Sequence, residues 1–403
     1  MKTYAIAGTG NRGLLMYGKM IHTVFCDEAR IVGLFDPNKK RCAYAQAQLS
    51  MDIPIFDDFE AMLDAVRPDV VIITTVDCFH AEYIKRAFAM GCDVICEKPL
   101  AITAGMCRAI QAAEREYGRK VTVTFNCRFM PFFVKLKEFM RQNAVGRVLH
   151  VDFEWMLDTD HGADYFRRWH RRLDNSGGLL VHKATHHFDV INWLIEQEPV
   201  DVSANGTLQM YGKNGAFRSE RCTGCAHRGR CAFAYPEPTE TVRKMYFEAE
   251  AEDGYFRDRC VFAEEIDIYD SMSLSVGYSQ NAILTYSLIA HSPHEGWRMS
   301  ISGTEGRLEA EAHYSGLDAD DPLDHVRVFN RAGERMSVDV KKQEGGHGGS
   351  DERMLRMILC GGADPLNQGA GSHEGVMSAI IGIAANISIA ENRRVSVAEL
   401  LCE

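Results

Sequence analysis

The sequence predicts an α/β Rossmann domain followed by an α+β domain built on a large, mostly antiparallel open sheet. Three observations carry that prediction. A short apolar strand runs directly into Gly8-Thr9-Gly10-Asn11-Arg12-Gly13. Strand-like and helix-like segments then alternate as far as residue 125, and from about residue 148 strand-like runs follow one another, often with alternating polarity. Alternation of strand and helix gives a parallel sheet covered by helices, whereas polar–apolar alternation marks strands wetted on one face, as in antiparallel sheets. A chain of 403 residues can form two domains, each with its own core. We place the boundaries at 1–125 and 126–403, with a cysteine-rich insertion at about 212–260 in the second.

The elements justify this in order. KTYAIAG (2–8) is the first strand, and LLMYGKMIHTVF after the glycine loop has helical spacing. ARIVGLFD (29–36) is an apolar strand ending in an acid. A lone GxGxxG is weak evidence, but strand, loop, helix, strand and acid together form the dinucleotide fingerprint. Gly8 allows the tight turn, Gly10 lets the backbone approach a pyrophosphate, and Gly13 lets helix and strand pack closely. The amides of Asn11 and Arg12 lie where a helix N-terminus offers unpaired N–H groups to phosphate. Asp36 would accept from the adenosine ribose hydroxyls and repel a 2′-phosphate, which favours NAD over NADP. DVVIITTV (69–76), DVICEKP (93–99) and KVTVTFN (120–126) are further strands, separated by the helical stretches AEYIKRAFAMG and AGMCRAIQAAEREYG. Ligands bind beyond the carboxyl ends of such strands. Thr74 to His80 and Glu97-Lys98-Pro99 fall at those ends.

VLHVDFEWM, VDVSANGTLQMYG, DSMSLSVGYS, NAILTYSLIAH, RMSISGT, GRLEAEA and HVRVFNR supply the second sheet. The chain closes with two helical stretches, SDERMLRMILCG and HEGVMSAIIGIAANISIAEN, preceded by the glycine-rich EGGHGGSD (344–351). The formal charge of −11 gives no basic field to neutralise phosphates, so a nucleic-acid partner is not expected despite the local run RRWHRR at 167–172. No leader-like segment and no apolar run of membrane-spanning length stand out, so a cytoplasmic location is expected, with the thirteen cysteines reduced.

Two clusters stand out. SGGLLVHKATHHFDVINW (176–193) places His182, Lys183, His186 and His187 between a glycine pair and an apolar run. If one helix spans them, His182 and His186 share a face. The cluster reads as an acid–base site, as a metal pair lacking its third and fourth ligands, or as the face of a buried helix. RCTGCAHRGRC sets Cys222, Cys225 and Cys231 in C-x2-C-x5-C spacing, which an apolar core does not need. Cys260 is the expected fourth ligand, with His227 second, and structural zinc is expected ahead of an iron–sulfur cluster.

The glycine loop, Glu97-Lys98-Pro99 at a strand end, and Gly177-Gly178 followed by His186-x-x-Asp189 resemble the Gfo/Idh/MocA family of glucose–fructose oxidoreductase and inositol dehydrogenase. The resemblance covers nearly the whole chain. Thr75 to His80 is similar to the family's Thr-Pro-x-x-x-His, with Val76 in place of proline. Asn126-x-Arg128-x-x-Pro131 is similar to the stretch that opens the second domain. Lys-Ala-Thr-His-His-Phe-Asp, the cysteine cluster and the Gly-His-Gly-Gly-Ser-Asp loop look most like a branch that includes glycoside 3-dehydrogenases. His182 departs from the pattern, standing where the family has aspartate.

The resemblance implies an NAD-dependent dehydrogenase acting on a secondary hydroxyl of a sugar or glycoside, plausibly at C3, assembled as a homo-oligomer through one sheet face. It implies Gly8, Gly10, Asn11, Arg12, Gly13, Asp36, Thr75, His80, Glu97, Lys98 and Asn126 at the cofactor. Lys98 is the candidate cation for developing alkoxide charge, His186 the candidate base and His182 a substrate-hydroxyl contact. Arg128, Trp169, His170, Lys183 and His347 are expected at the substrate, with His347 on a lid-like loop. Two rivals share these residues: a glycosidase that oxidises C3 transiently and recycles bound NAD, and a non-catalytic NAD-dependent sensor.

Overall fold

The computed structural model describes residues 1–50, 52–316, 319–345 and 347–402. Strands β1 (Lys2–Ala7), β2 (Ala29–Phe35), β3 (Ile55–Phe56), β4 (Val70–Ile73), β5 (Asp93–Cys96) and β6 (Val121–Val123) form a parallel sheet in the order β3-β2-β1-β4-β5-β6. The order reverses between β1 and β4, the switch point beyond which such sheets bind ligands. Apolar residues run continuously along β4, where Val70 to Ile73 are all buried, because helices cover both faces. The helix after the glycine loop is π-wound over Arg12–Gly18 and continues as Lys19–Thr23.

The second sheet holds β7 (Val148–Asp158), β8 (Pro199–Thr207), β9 (Ser271–Tyr278), β10 (Ile283–Ser292), β11 (Gly296–Gly303), β12 (Gly306–His313), β13 (Leu323–Asn330), β14 (Arg335–Lys341) and β15 (Val395–Ser396). Its order is β14-β13-β12-β11-β7-β10-β9-β8-β15, antiparallel throughout except for the parallel pair β7–β10. Burial alternates along β9 and β10, so one face packs on the core and the other is wetted. The covered face carries Phe153, Trp155, Tyr286 and Trp297, packed against helix Thr185–Ile195 and Phe132–Phe133.

Two expectations are corrected. Helix Ser372–Glu391 is long and apolar enough to span a bilayer, although no such run stood out in the sequence. It is apolar because it is a core helix, with Ile380 and Ile381 fully buried. The histidine stretch is also not one helix: Leu179–His182 and Thr185–Ile195 are separate. The Ala184 amide reaches back to Leu179 O (2.8 Å), and the His186 amide takes Lys183 O (3.3 Å). The His182 carbonyl is therefore left free of the helix ladder.

Candidate active site

That free carbonyl is what Lys98 uses. The Lys98 ammonium, in the turn after β5, donates to His182 O at 3.1 Å, so a lysine of the first domain caps a helix end of the second. Burial pulls its pKa down to about 8 against the raising fields of Asp77 and Glu97. The Lys98–Pro99 peptide is cis. His182 Nδ1 lies 2.5 Å from Asp77 Oδ2, a contact that also joins the two domains. His186 follows on the next helix, its Nδ1 buried without a partner, and burial together with Lys98 and Lys183 holds its ring neutral. Asp77 and Lys98, which follow β4 and β5, thus lie against His182, with His186 on the next helix.

Beside them opens a cavity of about 330 Å³. Lys183, His186, His187, Trp155, Tyr314 and Glu295 are among the residues that line it. Lys183 sits over the Trp155 ring at 4.8 Å. His161 Nδ1 meets the Glu295 carboxylate at 2.9 Å. The Asp324 carboxyl is pushed up to about 6 by burial, despite Lys342. An aromatic wall with a few polar groups is the chemistry of a site for a small polyhydroxylated ligand. His347 reaches this cavity and pairs through Nδ1 with Asp351 Oδ2 (3.0 Å); Gly346 beside it lies outside the described residues.

At the nucleotide loop a Cβ on Gly13 would sit 2.0 Å from Gly8 O, and Gly8 itself has φ +93°. Only glycine fits either position, so the loop keeps the close backbone cradle that a pyrophosphate needs. Thr75 Oγ1 and Asn126 Oδ1 are buried without partners, as expected of groups that meet a polar cofactor. The residues present fit NAD.

Other predicted residues are held elsewhere. Asp36 accepts from Thr9 N (2.9 Å), Thr9 Oγ1 (3.2 Å), Asn38 N (2.9 Å) and Arg41 (3.1 Å), which fills its lone-pair sites; a ribose hydroxyl would have to displace one of them. Arg12 turns from the loop to Glu97 (2.6 Å) and Asp351 (3.2 Å), and Asn126 Nδ2 also donates to Asp351 (2.7 Å). His80, fully buried, sets Nδ1 2.8 Å from Pro99 O and Nε2 3.3 Å from Thr75 O between the two strand-end turns; burial favours the neutral ring, which donates to one of the two carbonyls. Arg128 is not a cavity residue: it makes a buried bidentate pair with Asp189 (2.7 and 2.8 Å) and donates to Asn367 O and Gly369 O. Trp169 and His170 stack on each other at 3.6 Å, and His170 meets the His182 ring edge-on at 4.2 Å rather than lining the cavity.

Cys222, Cys225, Cys231 and Cys260 line one small cavity of about 20 Å³ together with Arg167 and Arg221. The sulfurs take hydrogen bonds from Arg167 and Tyr235 N (Cys222, 3.6 and 3.4 Å) and from His227 N (Cys225, 3.4 Å). Yet among the described residues no group of three or more His, Cys, Asp or Glu side chains is placed to hold a metal ion, so the zinc expectation is not supported. His227 is turned away, its Nδ1 taken by Arg230 at 3.1 Å.

Sequence reasoning missed Asp77, Asp351 and Tyr246. Asp77 lay inside the strand-end segment already singled out, and a charge at that position was the available signal. Tyr246 comes from the insertion and accepts the Asn11 amide at 2.9 Å, which no local pattern indicates, so the Asn11 amide is not the unpaired N–H that the sequence led us to expect.

A two-domain fold with a glycine cradle, a strand-end lysine and an adjoining polar–aromatic cavity defines a dinucleotide-dependent oxidoreductase architecture. The chain belongs to the Gfo/Idh/MocA oxidoreductase family: residues 2–125 match its NAD-binding Rossmann domain and residues 137–397 its C-terminal alpha/beta domain. It is 34% identical to YteT of Bacillus subtilis (strain 168), a protein named only provisionally as an oxidoreductase, over 99% of both chains. It is 29% identical to an inositol 2-dehydrogenase of Rubrobacter xylanophilus over 50% of this chain and 54% of that protein. In fold it is similar to levoglucosan dehydrogenase bound to NADH and levoglucosan (TM-score 0.69, 20% identity, 98% of this chain and 99% of that one). It is also similar to aldose-aldose oxidoreductase of Caulobacter crescentus (TM-score 0.65, 18% identity, 98% and 99%).

Proposed function

We propose that the protein is a cytoplasmic NAD-dependent dehydrogenase that oxidises a secondary hydroxyl of a sugar or glycoside, at C3 of a hexose ring. The observation that carries this reading is the meeting of Lys98, His182 and His186 beside a cavity walled by Trp155 and Tyr314. Gly8, Gly10 and Gly13 would cradle the cofactor's phosphates, with Thr75 and Asn126 offering unpaired groups. Bound NAD supplies the hydride acceptor. The chain does the rest. Aromatic rings take the apolar face of the sugar, while Glu295, His161 and Asp324 offer hydrogen bonds to its hydroxyls. Lys98, anchored on the His182 carbonyl, steadies the substrate oxygen as it loses its proton to an imidazole.

The test is NADH formation by purified protein with NAD and a panel of hexoses, alkyl and aryl glycosides and inositols, with product analysis. NADH with an intact 3-keto glycoside supports the reading. Aglycone release without net NADH would replace it with the NAD-recycling glycosidase, and silence across the panel would favour a sensor. Homo-oligomerisation through the wetted face of the second sheet belongs to the same proposal; there Asp152, Glu154, Arg298, Glu311 and Arg327 line a trough of about 630 Å³. Sedimentation at micromolar concentration tests it, a monomer counting against it. The shared cavity of the four cysteines is the remaining support for a structural metal, and elemental analysis showing neither zinc nor iron would end that reading.

A further inference from the structure

The Asp77–His182 pair has no counterpart among the roles the sequence suggested. Asp77 is buried in the turn after β4, with 3% of its side chain exposed, whereas 12% of the His182 side chain is exposed above it. A carboxylate fixed at Nδ1 directs an imidazole's lone pair to Nε2. His182 Nε2 makes no hydrogen bond among the described residues; the ring lies against Tyr165, Trp169 and His170, next to the cavity-lining Lys183 and not itself in the lining. Buried carboxylate, imidazole above it and free Nε2 form the constellation that takes a proton from a hydroxyl and stabilises the imidazolium that results.

His186 lacks this support. Among the described residues no carboxylate pairs with it and its Nδ1 is unbonded, and Lys98, Lys183, His347 and His187 all oppose a second proton. His182 faces Lys98, Lys183, Arg168 and the His170 ring, which with burial keep it neutral at rest, and among the described residues Asp77 is the carboxylate it pairs with. Burial raises the Asp77 carboxyl well above the ordinary carboxylate range, Glu97 adds to that shift, and Lys98 opposes it, so the Lys98 ammonium is the neighbour that favours the ionised form of Asp77.

We propose that His182, held through Nδ1 by Asp77, is the proton acceptor of this site, and that Asp77 is its positioning residue. His186 then contacts the substrate oxygen without taking the proton. The inference rests on the dehydrogenase reading above. The carbinol C–H bond breaks with its electron pair leaving as hydride to oxidised NAD. The O–H bond breaks, its proton bonds to His182 Nε2, and the electron pair left on oxygen closes the C=O bond. The family's aspartate is missing at position 182, and a carboxylate from the other domain stands behind the histidine that replaces it.

The experiment is nitrogen-15 NMR of histidine-labelled protein without cofactor, with kinetics on Asp77→Asn, His182→Asn and His186→Asn. His182, assigned by the resonance lost in His182→Asn, is expected as the Nδ1–H tautomer with a strongly downfield proton that Asp77→Asn removes. Asp77→Asn and His182→Asn should each lower kcat by about 10²–10⁴-fold, with KM and the NADH Kd within about threefold, and the double variant should fall no further. His186→Asn should mainly raise KM. An Nε2–H tautomer in the wild type overturns the inference whether or not any variant folds, and so does Asp77→Asn with kcat within threefold of wild type. Either result alongside normal NADH production leaves the dehydrogenase reading intact. A wild type inactive on the whole panel overturns both.

Discussion

Arg128→Ala separates a structural from a substrate-binding role for a residue the sequence placed at the sugar. Arg128 and Asp189 have 4% and 1% of their side chains exposed and share a bidentate pair. Removing one partner of such a pair leaves an uncompensated buried charge, which costs about 3–5 kcal/mol. At ~2 °C per kcal/mol for a domain of this size, the melting temperature should fall by roughly 6–10 °C. The pH dependence gives a second readout. Burial pushes the Asp189 carboxyl up to about 6, with Arg128 opposing. Because the folded-state pKa is raised, this group favours the fold below the ordinary carboxylate pKa, and that contribution is lost as pH rises through about 6. Asp189→Asn should therefore differ from wild type by an amount that changes between about pH 4 and 6 and is level above. Differential scanning calorimetry of wild type, Arg128→Ala and Asp189→Asn across that range is the assay. Arg128→Ala melting within about 1 °C of wild type while KM rises tenfold or more would refute the structural role.

Three further outcomes follow from the same geometry. Gly13→Ala, whose Cβ would sit 2.0 Å from Gly8 O, should abolish NADH binding in a fluorescence titration. Binding within threefold of wild type would mean that the loop tolerates a side chain. Lys98→Met should lower kcat by about 10²–10⁴-fold and remove a titration near pH 8 from the kcat/KM profile, because burial holds the Lys98 pKa at about 8; a profile unchanged in shape would assign that titration elsewhere. For Asp351, burial acts to raise the carboxyl, but His347, Arg12 and Asn126 together hold it well below the usual carboxylate range. Its stabilising contribution is present above the unfolded carboxylate pKa and lost on acidification. Asp351→Asn should be less stable than wild type by about 1–3 kcal/mol at pH 7, with the gap closing in strong acid; a gap independent of pH would exclude the charge as its cause.

Much of the chain's organisation was legible because it depends on local regularities. Continuous apolar runs at β4 and β5 mark a sheet buried on both faces, and alternating polarity at β9 and β10 marks one wetted on a single face. Gly8 and Gly13 are demanded by backbone geometry within a few residues, and Glu97-Lys98-Pro99 follows directly from a recognisable strand. Position at a strand end therefore located Lys98 in the crevice-facing turn after β5 before any contact was known.

What the sequence could not decide were partners brought together by folding. Arg128 and Asp189, 61 positions apart, neutralise each other in the core, because a buried charge must find a counter-charge wherever the packing offers one. His182 and His186 belong to two helices, since the winding at Ala184 releases a carbonyl that a lysine from the other domain takes up. Asp77 meets His182 across 105 residues. Local periodicity determined which segments are strands and helices and which ends face the crevice. Only the packing of one domain on the other decided which charged side chains remain free for chemistry, because pairing energies depend on distance in space and not along the chain.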